Sequence, residues 1–214
     1  DGLSVSTSAP SGKTGIWLID PNDFTIAATG GDLTGGDMTG AQVTAALALN
    51  NLTIASDNGG TSGNGDILVN DSVTWSQNTL TLNAFRNIEI NSTLYGSGTA
   101  GLALYYGQGA SDGVIGGTAA SYSINTPLHL ASTGSFATQL GSGGTLKNYT
   151  IITSLGTEDS NTGTDLQGMQ GNLSGYYVLG SDIDAWDTSS WNGGAGFAPV
   201  GNSSTKFTGI FDGL

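Results

Sequence analysis

The chain has 214 residues, with 17 Asp and Glu against 4 Lys and Arg, a formal net charge of -13. Phosphate neutralisation takes clustered cations, whereas Lys13, Arg86, Lys147 and Lys206 stand apart, which argues against nucleic acid and anionic membranes as partners. The lack of cysteine excludes disulfides, thiolate metal sites and thiol catalysis, and no apolar run reaches the roughly 18 residues of a membrane span.

Gly, Ser, Thr and Asn make up about half of the residues, a composition usually associated with disorder. The 37% that are hydrophobic, however, fall in alternating clusters. Two apolar residues one position apart, closed by a small residue, recur along the chain. Side chains alternate faces along a strand, so each unit offers two residues to a core and one or two to water.

In chain order the first such unit is Phe24-Thr25-Ile26-Ala27. The segment Asp37–Leu47 reads differently: it has helix formers, an N-cap in Asp37 or Thr39, and Val43, Ala46 and Leu47 on one face. It predicts one short helix of two to three turns packed over the strands. Strand units then resume at Leu52-Thr53-Ile54, Ile67-Leu68-Val69, Leu80-Thr81-Leu82, Ile88-Glu89-Ile90, Leu102-Ala103-Leu104, Tyr122-Ser123-Ile124 and Leu128-His129-Leu130. From about residue 141 the texture is richer in loops. Strands are predicted at Lys147–Thr153 and Tyr176–Leu179, with an acidic turn Ser181–Asp184 and a Trp- and Gly-rich loop from Trp186 to Gly196 between them and the closing segment Phe207–Leu214.

Strands this short cannot fold alone and must stack on copies of themselves. Ile67 to Ile88 is a step of 21 residues, Leu80 to Leu102 is 22, and Leu102 to Tyr122 is 20. A coil of two or three short strands and turns needs about 20 to 25 residues. The expectation is an all-β parallel β-helix (a solenoid) with irregular loops and one short helix, a β-sandwich being the alternative. Residues 1–214 read as a single such unit. Asn70, Asn83, Asn91 and Asn125 each follow an apolar pair and are expected to stack as a hydrogen-bonded ladder. The opening at Asp1-Gly2-Leu3-Ser4 and the abrupt end at Leu214 suggest an internal piece of a longer polypeptide.

Tyr177–Asp184, Trp191–Gly201 and Phe207–Leu214, with Gly15–Pro21 and Asn148–Leu155, resemble segments of filamentous haemagglutinin-like exoproteins of bacterial two-partner secretion. The resemblance covers nearly the whole chain. It implies a right-handed parallel β-helix in a secreted adhesin displayed on the bacterial cell surface. No catalytic residue is implied, and the family's amino-terminal secretion domain has no match here.

Few motifs suggest other chemistry. Gly109-Ala110-Ser111-Asp112-Gly113 matches a nucleophile elbow, but His129, the single histidine, sits between Leu128 and Leu130 and points away from the core. Asp182, Asp184 and Asp187 are candidate calcium ligands, as is the tandem Gly30–Thr34 and Gly35–Thr39; solvated turn carboxylates are the favoured alternative. Trp186 and Trp191 are candidate glycan contacts in an exposed loop, and Trp75, Tyr105 and Tyr106 are aromatics better explained as core. Six Asn-x-Ser/Thr sequons (Asn51, Asn70, Asn91, Asn148, Asn172, Asn202) barely exceed chance. The expected function is non-enzymatic: a structural or adhesive segment that meets a receptor or glycan on a host or neighbouring cell. A carbohydrate-active or carbohydrate-binding β-helix is the second reading. No catalytic residue or cofactor is expected, and open strand edges invite end-to-end association.

Overall fold

The computed structural model describes residues 5–7, 12, 14–19, 22–29, 38–58 and 63–214. Of the tandem Gly30–Thr34 and Gly35–Thr39 only Met38 and Thr39 lie among them, and the N-cap candidate Asp37 lies outside. The first strands are β1 (Ile16–Ile19) and β2 (Phe24–Ile26), followed by helix α1 (Gly40–Leu47). Then come β3 (Asn51–Ala55), β4 (Ile67–Val69), β5 (Val73–Trp75), β6 (Thr79–Asn83), β7 (Ile88–Ile90), β8 (Leu94–Gly96) and β9 (Gly101–Tyr106). The remainder are β10 (Val114–Ile115), β11 (Thr118–Ala119), β12 (Tyr122–Ile124), β13 (Leu128–Leu130), β14 (Ser135–Leu140), β15 (Lys147–Ile152), β16 (Tyr176–Leu179) and β17 (Ile210–Asp212). The described residues are predominantly β and form no closed barrel. No helix of the described residues is long and apolar enough to cross a membrane.

Three sheets carry most of the strands: β2, β4, β7 and β12 in one, β5, β8 and β13 in a second, and β1, β3, β6, β9 and β14 in the third. The chain visits them in fixed order from β4 to β9, and again from β12 to β14. All of these pairings are parallel. Antiparallel pairing, which a sandwich would require throughout, occurs among the described strands only at β10–β11 and β14–β15.

Register aligns the apolar pairs. Leu52 stacks on Leu80, Leu80 on Leu102 and Leu102 on Phe136. Phe24, Ile67, Ile88 and Tyr122 form a second column, and Val73, Leu94 and Leu128 a third. Apart from the half-buried Tyr122, these side chains are buried in one continuous core. Each buried aliphatic residue contributes roughly 1.5–3 kcal/mol. Where a bulky residue enters a column its neighbour gives way: Trp75 stacks on Gly96, where a Cβ would meet the indole at 3.2 Å and the Leu130 side chain at 2.8 Å.

The steps of 21 and 22 residues are true registers, but Leu102 to Tyr122 is not. Leu102 pairs with Phe136 and Tyr122 with Ile88. The hairpin β10–β11 is inserted between β9 and β12, and it lengthens that turn of the chain. The asparagine ladder forms in part. Asn125 Nδ2 donates to Asn91 Oδ1 at 2.7 Å and Asn91 Nδ2 to Asn70 Oδ1 at 2.9 Å. Asn83 stands apart, its Oδ1 buried without a partner.

Helix α1 is capped by Thr39, whose side chain accepts from the Gln42 N–H while Gln42 Oε1 accepts from the Thr39 N–H. Val43, Ala46 and Leu47 are buried. The helix packs on β5, the edge of the three-stranded sheet, where the Thr74 N–H donates to Thr44 Oγ1. It thus covers an exposed strand edge.

At the far end the chain reverses. Gly141, at φ +74, turns it into β15, which pairs antiparallel to β14, and β16 and β17 continue that sheet. The segment after β16 returns to the other two sheets. The Leu130 N–H on β13 donates to the Gly180 carbonyl at 2.9 Å, and the Tyr122 hydroxyl on β12 donates to the Asp212 carboxylate. Residues 141–214 therefore close the stack. They carry their own small core of Ile152, Met169 and Tyr177.

Replacing fully buried Leu82 or Ile88 with Asp is expected to abolish cooperative unfolding in thermal melts, whereas His129→Ala should change stability by only about 0.5 kcal/mol. A Cβ at Gly180 would sit 2.2 Å from the Leu130 carbonyl oxygen, which is backbone and cannot yield. Gly180→Ala should therefore cost about 1–3 kcal/mol and raise hydrogen exchange in residues 176–214 before the rest of the chain.

Candidate functional site

The predicted acidic candidates are engaged separately. Asp184 Oδ1 accepts the Trp186 N–H at 2.9 Å and opens the 3-10 segment Trp186–Gly194. Asp187 lies inside that segment, and Asp182 lines a cleft beside β13. Among the described residues no group of three or more His, Cys, Asp or Glu is placed to hold a metal ion. The structure does not gather Asp182, Asp184 and Asp187 into one group.

The two tryptophans also part company. Trp186 is 81% exposed, but Trp191 is buried and its ring stacks on Phe197 at 6.3 Å. Trp191 is therefore not in the exposed position expected from the polar, glycine-rich loop around it. Left-handed Asn192 (φ 52) and Gly193 (φ 67) kink the segment just after it. Gln167, fully buried, ties the loop down: its Nε2 donates to the Ala198 carbonyl and its Oε1 accepts the Ala198 N–H. Trp75 is buried as expected, while Tyr105 and Tyr106 are half-buried. Ser111 is exposed in a turn that leads into the hairpin β10–β11, not into a helix.

A different pair of rings is brought together. Tyr95 and His129 are the middle residues of β8 and β13, paired in register, so both face away from the core. Their ring centroids are 5.4 Å apart at a tilt of 48°. A cleft of about 290 Å³ lies on one side of His129, lined by Tyr95, Ser97, Ser132, Thr153 and Ser181. A second, of about 350 Å³, lies on the other side, lined by Asn125, Thr126, Ser181, Asp182 and Leu214. One wall of each comes from the stacked strands and the other from the returning chain. The site offers a π face, hydroxyls and acceptors, a chemistry suited to binding. Its signal in the sequence was two aromatic rings at the outward position of three-residue strands, 34 residues apart.

Two carboxylates of the closing segment, Asp165 and Asp212, hold parts of the chain together. Asp165 accepts from Ser160 Oγ, Thr162 Oγ1 and the Gly168 N–H, each at 2.7 Å. Burial disfavours its charge, but these three donors outweigh burial and its pKa lies below the ordinary carboxylate value. For Tyr122, burial first, then the hydrogen bond to Asp212 and its charge, push the phenol well above its ordinary value.

No family model, curated protein sequence or solved structure matches the chain.

The two shifts set opposite limits on stability. Asp165 contributes fully above the unfolded carboxylate pKa of about 4, and that contribution is lost as pH falls through its lower folded value. Tyr122 contributes fully below the unfolded phenol pKa of about 10, and its contribution is lost as pH rises above that. Melting temperature should therefore fall at both extremes. Asp165→Asn should flatten the acid limb and Tyr122→Phe the alkaline limb, each with a lower plateau at neutral pH.

Proposed function

We propose that the chain is a right-handed parallel β-helical segment of a secreted bacterial surface exoprotein of the filamentous haemagglutinin-like kind. It works without catalysis and without a cofactor, by projecting or forming an adhesive surface on the bacterial cell. Its partners are a receptor or glycan on a host or neighbouring cell and the rest of the same long polypeptide. The observation that carries this reading is the repeated, in-register return of the chain through three parallel sheets. Such a stack grows by roughly 4.8 Å per strand and gains length without changing its cross-section. Residues 1–214 act as one unit, with the loop-rich part from about 141 folded over its end. The strand β1, at the end of its sheet and paired among the described strands only with β3, supports end-to-end association of copies through its free edge.

A second reading, a carbohydrate-binding β-helix, is favoured by the exposed ring of Trp186 and by the clefts beside Tyr95 and His129. Incubation of the fluorescently labelled chain with epithelial and bacterial cells, in parallel with a glycan array, tests both readings. Saturable cell binding without release of sugar products is expected. Absence of saturable binding to either cell type would sink the adhesive reading, and product release would sink the non-enzymatic one. Array hits abolished by Trp186→Ala would favour the second.

A further inference from the structure

We propose that the two clefts flanking His129 form one docking site for a basic peptide segment of a partner protein, with an arginine side chain seated on the Tyr95 ring. This rests on the adhesive reading and gives it a partner chemistry.

Tyr95 is 48% exposed, so its ring presents an open face, and His129 beside it extends the floor from one cleft to the other. Asp182 stands in the wall of the larger cleft, and neither cleft is lined by a Lys or Arg. The asparagine ladder adds to this polarity. Its amides point the same way, Asn125 donating to Asn91 and Asn91 to Asn70. The acceptor left over is the Asn125 Oδ1, at the end of the ladder that lines the cleft with Asp182. Aligned amides polarise one another and strengthen that terminal acceptor.

The site therefore combines a π face with acceptors and a carboxylate, on a chain whose formal net charge of -13 raises the local concentration of cations. An acidic ligand is repelled. A neutral sugar stacks on Tyr95 but leaves Asp182 unmatched. A segment with two arginines uses both features, one guanidinium lying flat on the Tyr95 ring and the other forking to the Asp182 carboxylate in the larger cleft, which lysine ammoniums do less well. The clefts open on both sides of His129, so an extended segment crosses the ring and sets one side chain in each.

Calorimetric titration of the folded chain with tri-arginine, tri-lysine and tri-glutamate peptides and with maltotriose tests this. Tri-arginine should bind at least fivefold more tightly than tri-lysine, with no heat from tri-glutamate or maltotriose. Asp182→Asn and Tyr95→Ala should each weaken tri-arginine fivefold or more, and Tyr95→Phe should stay within twofold. Glu89→Gln removes the same charge from an exposed position outside both clefts and should also stay within twofold. Thermal melts establish that each variant is folded; if Tyr95→Ala is not, Asp182→Asn against Glu89→Gln decides. Equal losses from those two would leave only long-range attraction and overturn the site, as would preference for maltotriose or no peptide binding. Saturable cell binding that tri-arginine cannot compete overturns the site while leaving the adhesive reading intact.

Discussion

A strand of three residues buries two side chains, too few to offset the cost of ordering it, so everything here depends on register between successive strands. Ile67 over Ile88 and Val69 over Ile90 are useful only because Val73 over Leu94 and Leu80 over Leu102 are aligned in the same turns of chain. A slip of one residue in any sheet would expose its whole apolar set. The columns tolerate exceptions when the polar account is settled locally. The column Ile54, Leu82, Leu104 ends on Thr138, whose buried hydroxyl meets the Tyr149 hydroxyl at 3.1 Å.

Register needs corners as well as columns, and the corners are held by carboxylates. Asp23 Oδ1 accepts the N–H groups of Asn64, Gly65 and Asp66 just before β4 begins. Asp66 in turn takes the Arg86 guanidinium and the Asn87 N–H just before β7 begins. Burial disfavours the charge on Asp66, but the Arg86 and Asn87 contacts outweigh it and hold its carboxyl below the ordinary range. The acidic side chains that make the chain so negative are thus in part the fasteners that start each strand at the right residue. The same logic holds the far loops, where Asp165 gathers three donors.

Alternation in the sequence was enough to identify which residues face the core, because period two is a property of a single strand. It was also enough for the face of α1 and for three of the four ladder asparagines. It was not enough to name neighbours. Leu102 and Tyr122 carry the same local pattern as true partners, and only the hairpin inserted between β9 and β12 shows why they belong to different sheets. The reversal at Gly141 was hidden for a related reason: Lys147–Ile152 reads as a good strand whichever way it runs. Trp191 misled because its surroundings are polar and glycine-rich in sequence, yet the kink at Asn192 and Gly193 folds its ring against Phe197. Tyr95 and His129 were legible as outward residues, but not as a pair, since their contact spans 34 positions.

That pair also changes where binding should be sought in such a fold. Regular stacked strands make a uniform outer surface, and the natural suspects are the loops that interrupt it. Here the clefts lie instead on the outer face of two ordinary strands. They become concave because the chain comes back: Gly180 reaches the edge of β13, and Ser181, Asp182 and Leu214 then stand as a wall over residues that would otherwise be a flat surface. The hydrogen bonds that close the end of the stack are therefore the same ones that build the cleft. Closing a stack and making a concave site are one structural act wherever a returning segment crosses the last turn, so the end of such a stack, more than its middle, is where its outer face acquires shape.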